Sequence, residues 1–166
     1  MKKIAGWATL ALAFAAFGTV DTASAGGFVN LPRNGVGFKT NSAAYRQWGT
    51  PRMINGLVSL GKEWNSAQRG HFLTYSDISL QHGGYFPPHV SHQKGVDVDM
   101  SPITTSWNGG ATYVGAGNYS TPGTANLVWW IYHTPWSVNL IFHNNSRIGG
   151  VTYWPGHADH LHVRIN

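Results

Sequence analysis

The chain has 166 residues, 42% of them hydrophobic, with 11 lysines and arginines against 6 acids and no cysteine. That length suits one domain with a real core, and the lack of cysteine excludes disulfides, cysteine-based structural zinc and lipoprotein acylation. The net charge of +5 suits approach to an anionic envelope, but no dense stripe of Lys and Arg speaks for nucleic acid.

In chain order, Met1-Lys2-Lys3, an apolar run from Ile4 to about Phe17 and Ala23-Ser24-Ala25 have the three regions of a secretory signal. The run is shorter than the roughly 20 residues that span a bilayer. Residues 1–25 are therefore expected to be a signal peptide and 26–166 one mature domain, periplasmic or secreted and not inserted in a membrane. Thr50-Pro51 predicts a helix start, followed by Met53, Ile54, Leu57, Val58 and Trp64 near helical spacing. Phe72 to Leu80 predicts a strand, and Gly83-Gly84 and Pro87-Pro88 predict loops. Thr104 to Gly123 is a stretch rich in Gly, Ser, Thr, Asn and aromatics. Thr124 to Tyr132 suggests a short buried helix, although its aromatics also suit a strand. Val138 to His143 predicts another strand, and Trp154-Pro155-Gly156 a loop. No internal repeat is evident. The expected fold is a small single α+β domain: a central antiparallel sheet carrying the site, flanked by a few helices and long loops.

Two stretches carry chemistry, Ser91-His92-Gln93-Lys94-Gly95-Val96-Asp97-Val98-Asp99 and Gly156-His157-Ala158-Asp159-His160-Leu161-His162. Val96 to Met100 and His160 to Ile165 alternate polar and apolar, the period of a half-buried strand. Val96, Val98, Met100, Leu161, Val163 and Ile165 would face the core. Asp97 and Asp99 would share the other face of one strand; His160, His162 and Arg164 would share that of the second, the imidazoles about 6 to 7 Å apart. Antiparallel pairing of these strands would bring Asp99 to His162, with His92 arriving from the entering loop. Three imidazole or carboxylate ligands with a fourth position for water make a hydrolytic zinc site, and His92, Asp99 and His162 suit that role.

Nine histidines occur, and a single histidine is more often a surface or hydrogen-bonded core residue than a ligand. His71, His82, His133 and His143 are read in that way. His89, His92, His157, His160 and His162 fall instead in two tight groups beside acids, in a chain where Glu63 is the only glutamate. The alternation with Leu, Val and Ile argues against an incidental histidine-rich tract.

Ser-His-x-x-Gly-x-x-x-Asp followed downstream by His-x-His resembles the zinc-peptidase superfamily of lysostaphin-type endopeptidases, D-Ala-D-Ala peptidases and hedgehog-like domains. Asp77 to Leu80, Gly83-Gly84, Pro88 to Gln93, Gly95 to Asp99 and Gly156 to Arg164 narrow it to the penicillin-insensitive murein endopeptidases. The resemblance implies one zinc ion on His92, Asp99 and His162, His160 as the catalytic imidazole, and His157 and His89 as further active-site histidines. It also implies peptidoglycan as substrate, cut at a cross-link, D-alanine to diaminopimelate. The chain departs from the pattern in lacking the cysteines of longer members and in the 104–123 stretch.

The chemistry is amide hydrolysis by an activated water. No His-Glu-x-x-His motif supplies a glutamate base, and Glu63 is far in sequence from both stretches. An imidazole with a pKa of about 6.5 suits acid-base work at neutral pH, so His160 is the economical choice. Asp97 is either a competing ligand or a partner that orients a histidine; the family spacing favours Asp99 as ligand. Asp159 is expected to face away from His160, and Asp77 to cap or brace the loop before Gly83. Arg164 suits a local ion pair ahead of a substrate carboxylate. Trp154 is the preferred groove residue for glycan or peptide stems, with Trp107 next. Two rivals stay open: a DD-carboxypeptidase or dipeptidase on free stems, and a non-catalytic wall-binding or metal-binding protein.

Overall fold

The computed structural model describes residues 27–68 and 70–166, so the signal expected at 1–25 lies outside the described residues. Strand β1 (Val29–Asn30) pairs antiparallel with β4 (Trp48–Gly49) in a small two-stranded sheet. The main sheet contains β2 (Asn34–Gly35), β3 (Phe38–Thr40), β5 (Leu73–Tyr75), β6 (Asp97–Met100), β7 (Val138–Phe142) and β8 (Leu161–Ile165). Its order is β2-β3-β5-β6-β8-β7. Every pairing is antiparallel except β3 with β5, which is parallel. Helix α1 (Pro51–Ala67) between β4 and β5 makes that crossover possible. With helix α2 (Thr121–His133), the molecule is α+β.

Helix α1 starts where Thr50 Oγ1 accepts the Met53 N–H at 3.2 Å, with Pro51 in the first turn. Its apolar stripe of Met53, Ile54, Leu57, Leu60 and Trp64 is buried. Gly56 lets the helix approach Trp136: an added Cβ would lie 1.6 Å from the indole nitrogen. Helix α2 begins three residues before the predicted start, because Ser120 Oγ accepts the Gly123 N–H at 3.0 Å and Pro122 fits the first turn. The predicted strand 72–80 is shorter. Only Leu73–Tyr75 is regular, after which Asp77 and Ser79 hold irregular bonds to the Asp99 N–H and to Trp48.

The core joins α1 and α2 to the sheet through Phe38, Tyr75, Val98, Met100, Leu161, Val163, Leu127 and Ile131, all 1% exposed or less. Burying each such side chain contributes about 1.5 to 3 kcal/mol, and Val98, Met100, Leu161 and Val163 anchor β6 and β8 in this core. No helix among the described residues is long and apolar enough to cross a membrane.

Candidate metal centre and active site

Strands β6 and β8 place Asp99 opposite His162 and Asp97 opposite Arg164. The loop that enters β6 brings His92, turning at Gly95, whose φ of 65° suits glycine. A side chain there would also meet the Gly49 backbone at 2.9 Å.

Three atoms then converge. His92 Nε2 is 3.0 Å from His162 Nδ1 and 3.2 Å from Asp99 Oδ1, and His162 Nδ1 is 3.1 Å from the same oxygen. All three residues are buried. The outer nitrogens are occupied: His92 Nδ1 meets the Ile78 carbonyl at 2.8 Å, and His162 Nε2 meets Asp97 Oδ1 at 3.0 Å. Donation outward leaves lone pairs on both inner nitrogens, the arrangement that metal-binding histidines use. Lone pairs and a carboxylate aimed at one another need positive charge among them. A proton on His162 is one answer: burial lowers its pKa, but bonds and charges from Asp97 and Asp99 win and raise it to about 9. A divalent cation is the other. Tetrahedral zinc separates its nitrogen and oxygen ligands by roughly 3.3 Å, so the donors fit such an ion in type, number and spacing. Burial pushes the Asp99 carboxyl up, yet protonation of the facing His162 and His92 rings, the alternative to a cation, and the charge of His160 hold it well below the usual range.

His89 adds a second grouping. Ligand atoms of His89, His92 and Asp99 lie within 4.8 Å of one another, so this group too can hold a metal ion. His89 Nε2, however, is 2.7 Å from Asp77 Oδ2, while Nδ1 stands 3.7 Å from Asp99 Oδ2. Asp77 is buried and also receives Ser42 Oγ at 2.6 Å and the Arg46 guanidinium. It thus braces the His89 ring rather than only capping the loop. Burial raises its pKa, but His89, Ser42 and Arg46 outweigh that and lower it.

His160 Nε2 is 3.9 Å from Asp99 Oδ1, and its Nδ1 meets Asp159 Oδ1 at 2.8 Å. Asp159 therefore turns toward His160, contrary to the strand-based expectation, because β8 begins only at Leu161. The His157 ring packs 4.7 Å from His160 and 5.8 Å from His162. Its pKa is lowered by burial and by the His160 charge. Trp154 stacks on Phe142 at 5.3 Å and lines the cavity with these histidines. Trp107 does not: it stacks on Trp64 at 5.7 Å and lines a separate hollow with His71. Arg164 Nε donates to Asp97 Oδ1 at 2.7 Å.

No sequence pattern marks Ser42, Arg46 or Tyr119 as neighbours of the site. His143 is fully buried; its Nδ1 meets the His160 carbonyl at 2.9 Å and its Nε2 the Tyr119 hydroxyl at 3.0 Å. It is a hydrogen-bonded core histidine, as the sequence reading expects, and it steadies the loop that carries His157 and His160. The 104–123 stretch supports that loop from another side, through the Val114 N–H and the Ala158 carbonyl at 2.8 Å.

The cavity over the three converging residues measures about 650 Å³ and is bounded by His89, His157, His160 and Trp154. No curated protein matches the chain. The family model described as penicillin-insensitive murein endopeptidase matches residues 16–110, a span that includes His89, His92, Asp97 and Asp99 and ends before His157. With more than half of its length matched, and with histidines and an aspartate able to hold a metal in one cleft, the chain belongs to the penicillin-insensitive murein endopeptidase family.

Proposed function

We propose that the protein is an exported zinc peptidase that hydrolyses the D-alanine to diaminopimelate cross-link of peptidoglycan. The observation that carries this reading is the convergence of His92 Nε2, Asp99 Oδ1 and His162 Nδ1 within 3.2 Å of one another, each imidazole held by an outward bond. These three would hold the ion; His89, tied to Asp77, stays beside it. A zinc ion held there would supply Lewis acidity and lower the pKa of a bound water toward about 7.

The chain's own residues do the rest. His160 takes a proton at Nε2 from the attacking water and returns one to the leaving amine, with Asp159 holding Nδ1 in its protonated form. Once charged, His160 also stabilises the developing oxyanion. His157 donates Nδ1–H toward the Trp154 and Pro155 carbonyls, both at 3.2 Å, which leaves Nε2 to meet substrate. His89 orients polar groups of the peptide near Asp99. Asp97 fixes the His162 ring, and Trp154 offers a face to the stem or glycan.

The test is digestion of intact sacculi and purified muropeptide dimers, with products weighed by mass spectrometry. Cleavage of dimers to monomers should vanish with a chelator and return with zinc. Loss of terminal D-alanine without dimer cleavage would favour a carboxypeptidase, and no metal-dependent cleavage a binding protein.

A further inference from the structure

Beside the cavity that contains the three converging residues lies another of about 500 Å³. The two share Val90, Ser91 and Arg164, and they meet where Ser91 Oγ stands 3.4 Å from His162 Nε2. We infer that this second cavity is a subsite for a free carboxylate of the peptide substrate, held by Arg164 and Lys94. The inference rests on the murein endopeptidase reading and assigns one side of its cleft.

The charges favour an anion. Lys94 is exposed, lines the cavity and makes no hydrogen bond or ion pair among the described residues. Arg164 spends Nε on Asp97, and none of the described residues bonds its two terminal nitrogens. A third of its side chain is exposed. The only acid lining the cavity is Asp97, which is 1% exposed and already meets Arg164 and His162. A guest thus meets two cationic heads and no accessible carboxylate. A planar guanidinium with its terminal nitrogens free pairs well with a carboxylate.

Substrate chemistry asks for such a site. In a D-alanine to diaminopimelate link, the carbon bearing the scissile nitrogen also carries a free carboxylate, where an ordinary internal peptide would continue as an amide. The anion therefore sits two bonds from the nitrogen that leaves. Arg164, on the wall common to both cavities, can meet it while the scissile carbonyl faces His92, Asp99 and His162. Lys94 adds long-range attraction that salt would screen.

The test compares the zinc-loaded enzyme on two synthetic cross-linked dimers, identical except that the carboxylate beside the scissile nitrogen is free in one and a primary amide in the other. The wild type should favour the acid about tenfold in kcat/KM, chiefly through KM, and the preference should shrink as salt rises. Lys94→Met should cut that preference severalfold, Lys94→Arg restore it and Lys94→Glu reverse it. Equal cleavage of acid and amide by the wild type, or a preference untouched by Lys94→Met and Lys94→Glu, overturns the subsite and leaves the endopeptidase reading standing. Cleavage of neither dimer overturns both.

Discussion

Replacing His160 with alanine removes an imidazole that touches the centre only across 3.9 Å, while the three converging residues keep every bond they have. Cleavage should therefore fall about 10²- to 10⁴-fold while zinc content by atomic absorption stays near one ion per chain. Joint loss of metal and activity would instead make His160 a ligand. Asp77→Ala leaves His89 Nε2 with only the Arg46 guanidinium, at 3.3 Å, and should lower kcat about 10- to 100-fold with zinc retained. Ser42→Ala, which leaves the Asp77 to His89 bond in place, serves as the control; an equal loss in both variants would make Asp77 a fold residue only. Asp77 also marks where residue-level inference from sequence ends. Asp99 and His162 are legible because alternation puts them on known faces. The set of Ser42, Arg46, Asp77 and His89 is assembled from separate loops, and nothing local in the chain announces it.

Elements set how closely those groups are held. Gly56 on α1 admits Trp136, whose Nε1 donates to the Arg52 carbonyl at 3.3 Å. Gly56→Ala should destabilise the fold by about 1 to 3 kcal/mol, lowering the melting midpoint by about 3 °C for each kcal/mol; an unchanged midpoint would mean that Trp136 moves freely. The caps at Thr50 and Ser120 show what sequence can and cannot deliver. Thr50-Pro51 stands directly before an apolar stripe and is plain. Ser120 stands at the end of a glycine-rich stretch, so the apolar run alone points to a later start for α2. The parallel pairing of β3 with β5 has no signature in the sequence, since strands of three residues have no periodicity to display. Asp159 escapes the pattern for a related reason: it lies two residues before Leu161, where β8 begins, so strand alternation does not govern its direction.

Across the whole molecule, acid should loosen the fold in two windows. His143 is held neutral: burial lowers its pKa, aided by the charges of His160 and His157 and opposed by bonds to the carbonyls of those residues. A folded pKa below the unfolded value of about 6.5 means that the unfolded chain binds the proton first. His143 therefore costs nothing above that pH, and stability declines as pH falls from about 6.5 toward its folded pKa. The lowered pKa of Asp77 has the same sign and opens a second decline below about pH 4. Urea titrations between pH 8 and 5 should show the first, and His143→Gln should flatten it; an unaltered slope would assign that decline to other histidines. His92 and His162 stand 70 residues apart in the chain and meet only when β8 docks on β6. A cation gripped by both, together with Asp99, ties off that long loop much as a disulfide would, restricting the unfolded chain where no cysteine exists to do so. The ion of such a centre would serve as the molecule's staple as well as its reagent.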